Sequence, residues 1–179
     1  FRATELAKEF YRRGHNVTVI SKFRNFDYTD FLLTCPINLS MWRKPVLPRI
    51  PEISIQPLKL VYRIISRLLL LLFEYPDIED MLRVKQMLKN HQGYDLMISF
   101  AVPYPVHWGV SWSRSTKNRI ANVWIADCGD PYMFNRLDNF RKPFYFKYFE
   151  KSFSSKCDFI TIPFEGLKSK FYPQFLDKI

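Results

Sequence analysis

The segment RATELAKEFYRRGHNVTVIS, residues 2–21, contains the two patterns that decide the fold class. Its first half repeats apolar residues at the spacing of one helix face, at Ala3, Leu6, Ala7, Phe10 and Tyr11. Gly14 follows, a residue type that often ends a helix in the left-handed conformation, and the β-branched run at 17–21 predicts a strand. A helix, a glycine turn and a strand in direct succession indicate an α/β fold.

The same alternation continues along the chain. Further strands are predicted at 95–100, 122–127 and 159–163, and helices at 58–75, at 76–91, from Pro105, from Pro143 and up to Tyr172. Between them, residues 23–57 contain five prolines and predict a long irregular segment. Because the strands are continuous apolar runs, we expect a Rossmann-like parallel sheet, buried by helices on both faces.

Length and charge limit the domain number and the partners. A chain of 179 residues, 47% of them hydrophobic, predicts one well-cored domain, over residues 1–179. The 27 Lys and Arg against 17 Asp and Glu give a net charge of +10, which favours anionic partners. The aromatic residues lie inside periodic segments rather than in basic-aromatic repeats, so nucleic acid is an unfavoured partner.

The cysteines and glycines exclude several kinds of site. Three cysteines form no C-x-x-C pair and no zinc-ligand spacing with histidine, and their odd number does not predict a disulfide framework. This usage and the lack of a signal-peptide pattern favour a reducing cytosol. No glycine-rich phosphate loop is present, so we expect this domain to need no cofactor of its own.

Polar residues follow three predicted strands at the end where open parallel sheets bind ligands. Asp127 and Asp130, in DCGDP, could act as a general base, hydrogen-bond a ligand hydroxyl, bind a hard cation or organise a turn. Two carboxylates are too few to predict a metal site. Ser99, Tyr104 and Lys22 lie at the other strand ends and are candidate substrate-binding residues.

His107 lies in the first turn of the helix that follows the strand at 95–100. The positive end of that helix would lower the pKa of His107, which keeps the ring neutral and able to accept a proton. A buried, hydrogen-bonded structural histidine is the alternative. Both alternatives stay open at this point.

The helix predicted at 58–75 combines an apolar side with basic residues and is too short in its apolar run to span a bilayer. Together with a basic aromatic loop it predicts docking on an anionic membrane surface. The residues predicted to contact the membrane are Trp42, Arg43, Lys44, Arg63 and Arg67. An ordinary core helix with solvated arginines is the alternative.

Three segments resemble the acceptor-side, N-terminal domain of GT-B glycosyltransferases of the family 4 (group 1) type. The segment RATELAKEFYRRGHNVTVIS is similar to the first helix and second strand of that domain. YDLMISFAVPYPVHWG and VWIADCGDPYMFN resemble two further segments of a bacterial branch of the family. Relative to this pattern, the first strand and its glycine loop are missing before residue 1, and the second, donor-binding domain is missing after residue 179.

The resemblance implies a retaining, hexosyltransferase-like enzyme that transfers sugar from a nucleotide-sugar co-substrate without an obligatory metal. It implies a glycan or lipid-linked glycan acceptor in surface polysaccharide or lipopolysaccharide synthesis, at the inner face of the plasma membrane. His107 and Asp130 would be the catalytic residues, with Asp127 lining the same cleft. The donor-binding domain would be the partner of this domain, which alone would be inactive. The alternative is a non-catalytic α/β binding domain with a basic surface for a membrane or polyanion.

Overall fold

The computed structural model describes residues 2–42, 47, 55–56, 58–101, 103–134 and 141–179. The chain divides into two compact units, residues 1–45 and residues 46–179. Each unit contains helices and a parallel β-sheet, which confirms the predicted α/β fold class.

The first unit contains two helices and two strands, in the order α1 (Arg2–Arg12), β1 (Thr18–Lys22), α2 (Thr29–Thr34) and β2 (Asn38–Trp42). The predicted helix, glycine turn and strand are confirmed, with Gly14 at a φ of +83°. Strands β1 and β2 pair in parallel from Thr18 opposite Asn38 to Lys22 opposite Trp42. The buried core of the unit is Ala7, Cys35 and Ile37.

The prediction that residues 23–57 are irregular is wrong for two short elements, α2 and β2. Pro36 lies just before β2, where no ladder N–H is required, so it borders the strand without interrupting it. The strand then needs only five residues, Asn38–Trp42, to provide β1 with a parallel neighbour. The rest of the proline-rich segment, residues 43–46, 48–54 and 57, lies outside the described residues.

The second unit carries the remaining elements. They are α3 (Leu58–Phe73), α4 (Ile78–Met87) with a 3₁₀ turn (Leu88–Asn90), β3 (Tyr94–Phe100), α5 (Pro105–Ser113), β4 (Ala121–Asp127), α6 (Phe146–Lys156), β5 (Phe159–Thr161) and two 3₁₀ helices (Glu165–Lys170 and Pro173–Lys178). The helices and strands predicted here are confirmed. Within the described ranges, no helix has the length and apolar character needed to cross a bilayer.

The sheet of the second unit has the order β3-β4-β5, with all strands parallel. Because crossovers between parallel strands are right-handed, this order places α5 and α6 on the same face. Helix α4 packs against α5. Gly109 permits that packing, since a Cβ atom there would lie 2.6 Å from the carbonyl oxygen of Met81.

Burial of the strands on both faces, as expected for a covered parallel sheet, is found only in part. In the central strand β4, Trp124 and Ala126 are fully buried. The edge strands differ, since Asp95 and Leu96 of β3 and Phe159 of β5 are exposed. The carboxyl half of β4 is therefore the most deeply buried part of the sheet, and burial continues through Asp127 and Cys128 to the turn that follows.

Candidate functional site at the carboxyl ends of β3, β4 and β5

The carboxyl ends of the three strands bring polar side chains to one edge of the sheet. Asp127, the last residue of β4, lies opposite Phe100 of β3 and Thr161 of β5. Ser99 lies one residue earlier, opposite Ala126. This is the edge at which open parallel sheets bind ligands.

Asp127 is buried and connects two strands. The hydroxyl of Thr161 donates a hydrogen bond to Oδ1 of Asp127 over 2.6 Å. The contact fastens the end of β5 to the end of β4. In this structure the carboxylate of Asp127 therefore has a structural role at the edge of the sheet. The predicted contact with a substrate would have to be made by the same carboxylate.

Ser99, Trp124 and His107 form a buried hydrogen-bonded chain. The indole N–H of Trp124 donates to Oγ of Ser99 over 2.8 Å, and that Oγ lies 2.7 Å from Nδ1 of His107. Trp124 can only donate, so the Ser99 hydroxyl is free to give its own proton to Nδ1. This assignment places the ring proton of His107 on Nε2.

His107 is 0% exposed. Burial lowers the pKa of His107 from 6.5 to about 3, and a hydrogen bond to the backbone of Asp127 opposes that shift only in part. The ring is neutral at pH 7, as the sequence predicted, but the main cause is removal from water rather than the end of helix α5. A ring without exposed surface does not touch a ligand in this conformation.

Cys128 completes the buried cluster on the other side of the ring. Its Sγ lies 3.7 Å from Nε2 of His107, and the residue is fully buried. Burial raises the pKa of the Cys128 thiol well above its usual range. Because the thiol stays protonated and the imidazole stays neutral, the two do not form the thiolate–imidazolium pair of a cysteine nucleophile.

Tyr104 and Asp130 meet at the turn that follows β4. The buried Tyr104 donates its hydroxyl hydrogen bond to the backbone carbonyl of Asp130. The Asp130 side chain is exposed. The turn is thus held from inside through its backbone, while this side chain remains accessible to solvent.

A second support of this turn, Glu150 on α6, was missed by the sequence analysis. Its Oε1 accepts the backbone N–H of Tyr132 over 3.1 Å and that of Met133 over 3.4 Å. Burial raises the pKa of Glu150. The helical spacing of positions 146, 150 and 153 could have predicted that Glu150 is buried, because it places Glu150 on the same face of α6 as the buried Phe146 and Phe153.

Glu74, just after α3, was also missed. It is buried, and it accepts hydrogen bonds from the hydroxyl of Tyr132, over 2.7 Å, and from Nζ of Lys142. Burial, with the nearby Glu74 carboxylate, raises the pKa of Tyr132 well above its ordinary value. Tyr132 therefore stays neutral. Its hydroxyl donates to Glu74 and its backbone N–H donates to Glu150.

The remaining predicted residues lie elsewhere. Lys22 ends β1 in the first unit, and Trp42 ends β2 there with only 8% of its surface exposed, which corrects the expectation that its ring is available to a membrane. Arg43 and Lys44 lie outside the described residues. Arg63 and Arg67 are exposed on α3. Across the described ranges, no three His, Cys, Asp or Glu side chains are grouped so that they could hold a metal ion.

Comparison with family models, with curated proteins and with solved structures finds no significant match to this chain.

Proposed function

We propose that this chain is the acceptor-side domain of a GT-B type glycosyltransferase that uses a nucleotide-sugar donor. The observation that carries the proposal is the exposed side chain of Asp130 at the carboxyl edge of a parallel sheet, on a turn whose backbone is held by Tyr104 and Glu150. The resemblance of three sequence segments to this family supports the same assignment. Surface polysaccharide or lipopolysaccharide synthesis is the setting that the resemblance implies.

In the proposed reaction, the acceptor hydroxyl oxygen forms a bond to the anomeric carbon of the donor sugar. The bond from that carbon to the nucleotide phosphate breaks, its electron pair leaves with the phosphate, and the acceptor proton passes to a phosphate oxygen. Asp130 would accept a hydrogen bond from a sugar hydroxyl and so orient it, an interaction that a carboxylate makes strongly. A second domain of the same protein would hold the donor.

In this proposal His107 does not contact the substrate directly. Its ring is buried between Ser99 and Cys128 and is hydrogen-bonded to the backbone of Asp127. It would therefore act as a positioning residue that fixes the end of β4 and the turn after it. Ser99 and Tyr104 would serve the same purpose, since both are buried and both bond to the residues that form this turn or its support.

Replacement of Asp130 by Asn in the full-length protein tests the proposal. Transfer from a panel of radiolabelled nucleotide sugars to extracted lipid and polysaccharide acceptors should fall by about 100-fold, a loss of roughly 3 kcal/mol in the transition state. Asp95→Asn is the matched control, because Asp95 is an exposed aspartate near the opposite end of β3. Equal transfer in Asp130→Asn and wild type would contradict the proposal, as would a coding sequence without a second α/β domain.

A second candidate function, binding to an anionic membrane without catalysis, is favoured by the surface of α3. This helix has no buried residue, and one side of it exposes Val61, Ile64, Ile65, Leu68 and Leu72. Lys59, Arg63 and Arg67 lie on another side, and the helix sequence contains no acidic residue. An exposed apolar face beside basic residues is typical of helices that lie in the membrane interface.

Sedimentation with liposomes distinguishes this candidate from the first. Binding to vesicles containing phosphatidylglycerol should exceed binding to phosphatidylcholine vesicles and weaken with salt, with each basic residue worth about 1 kcal/mol near the surface. Leu68→Glu should abolish binding, whereas Leu33→Glu, at an exposed leucine of the first unit, should not. A protein that binds vesicles in this way but shows no sugar transfer would favour the second candidate.

A further inference from the structure

A groove between helices α4, α5 and α6 is separate from the residues of the sheet edge. Its volume is about 480 Å³, within the range of small-ligand sites. Its floor is formed by the buried Met81, Trp108 and Ser111, and its rim by Trp112, Tyr148 and Phe149. The lining is therefore mostly apolar and aromatic.

The rim leaves large aromatic side chains in water. Trp112 is 52% exposed and Tyr148 is 60% exposed. Each has an apolar ring and one polar atom, which suits a boundary between an apolar ligand and water.

Cations surround these rings. Nζ of Lys85 lies 3.5 Å from the ring centroid of Trp112, and Nζ of Lys147 lies 5.0 Å from that of Tyr148. Lys156 also lines the groove. In the described part of the chain, none of these three ammonium groups forms an ion pair with a carboxylate. The groove thus complements a ligand with a negative charge.

Most polar atoms at the base of the groove are already paired, and the exception among the described lining residues is the buried indole N–H of Trp108. The hydroxyls of Ser111 and Ser152 bond to each other over 2.9 Å, and Nζ of Lys156 donates to the Ser111 carbonyl over 2.6 Å. A sugar placed there would leave most of its hydroxyl groups without partners, at a cost for each one. An apolar chain meets no such penalty, so the base of the groove favours a hydrocarbon over a glycan.

We infer that this groove binds a single-chain anionic amphiphile of the alkyl phosphate class. The chain lies along Trp108, Trp112 and Phe149, and the phosphate lies at the Trp112 end of the rim, beside Lys85. The inference is independent of sugar transfer at the sheet edge, because the two sites share no side chain. It also differs from docking on a membrane through α3, because it concerns one molecule in a groove.

Isothermal titration calorimetry with dodecyl phosphate below its micelle concentration tests the inference. Dodecyl maltoside, with the same chain and an uncharged head, is the matched probe, and it should bind at least tenfold more weakly. Trp112→Ala should lower the affinity for dodecyl phosphate about tenfold, and Lys85→Gln about tenfold, or roughly 1.4 kcal/mol each. Phe164→Ala and Lys89→Gln, which change an exposed aromatic and an exposed lysine outside the groove, should leave the affinity unchanged.

Several results would overturn the inference. These are the absence of saturable binding, equal affinity for the two probes, or binding that is lost in Leu68→Glu of α3 but kept in Trp112→Ala. Self-association that depends on Trp112 in sedimentation equilibrium, without amphiphile binding, would instead identify the groove as a contact between copies of the chain. Circular dichroism of each variant checks that the fold is retained.

Discussion

The buried ring of His107 makes a quantitative prediction about stability and pH. Its pKa is about 3 in the folded protein, against an ordinary value of 6.5. Between these two values the unfolded chain binds a proton that the folded protein does not. Stability from this residue is therefore complete above pH 6.5 and is lost as the pH falls toward 3.

The magnitude follows from the distance between the test pH and 6.5. At pH 5 the solution lies 1.5 units below the ordinary pKa of 6.5 and well above the folded value. At 1.36 kcal/mol per unit, the free energy of unfolding should be about 2 kcal/mol lower than at pH 7.5 on account of His107 alone. In His107→Gln, which cannot be protonated, this contribution should vanish.

Urea unfolding followed by tryptophan fluorescence, at half-unit steps from pH 5.0 to 7.5, measures the effect. The difference between wild type and His107→Gln isolates the histidine, because other titrating groups are present in both proteins. Ser99→Ala is the control: it removes the hydroxyl at Nδ1, over 2.7 Å, but keeps the ring, so it should lower stability while the pH dependence stays. If wild type and His107→Gln had parallel pH profiles, or if NMR showed His107 titrating near pH 6.5, the reasoning from burial would be refuted.

Two further predictions concern packing and the turn after β4. In thermal unfolding, Gly109→Ala should destabilise the protein by about 1–3 kcal/mol despite the better helix propensity of alanine, because the new Cβ would lie 2.6 Å from the carbonyl oxygen of Met81. Gly129→Ala is the control, since a Cβ there meets no atom of the described residues within 4 Å, its chain neighbours aside, and it should change stability by less than about 0.5 kcal/mol. The raised pKa of Glu150 stabilises the fold below pH 4.5, and this contribution is lost as the pH rises through the folded value, so Glu150→Gln, which keeps the acceptor for Tyr132 and Met133, should flatten the pH dependence of stability. Glu150→Leu should be about 1–3 kcal/mol less stable than Glu150→Gln at every pH in urea unfolding, and equal stability of the two variants would show that the two N–H bonds contribute nothing.

Long periodic elements were predictable because their pattern is repeated over several turns or residues. Helix α1 and the strands β3 and β4 lie where the sequence placed them, within a residue or two. The sequence does not predict strand β2, because its five residues carry too little periodicity and the prolines around it favour an irregular segment. Proline is disfavoured in the interior of a helix or strand, but it is compatible with the residues that border one.

The candidate site was predictable by position but not by environment. The rule that ligands bind at the carboxyl ends of parallel strands led to Ser99, His107, Asp127 and Asp130, and the structure brings these residues to one edge. The sequence did not distinguish the buried His107 from the exposed Asp130, because burial depends on side chains from other elements. Phe153, whose ring centroid lies 5.0 Å from that of His107, and Trp124, which bonds to Ser99, come from a helix and a strand far along the chain.

The distribution of charge at this edge bears on what it can bind. His107 and Cys128 are both neutral at pH 7, since burial lowers the pKa of the first and raises that of the second. The side chain of Asp130, on the turn that follows, is exposed. Because a carboxylate attracts hydroxyl donors and repels phosphate, under the proposed function Asp130 would bind a sugar hydroxyl and not the diphosphate of a nucleotide. A donor nucleotide would have to be bound by other groups. In the proposed two-domain protein, the second domain would provide them.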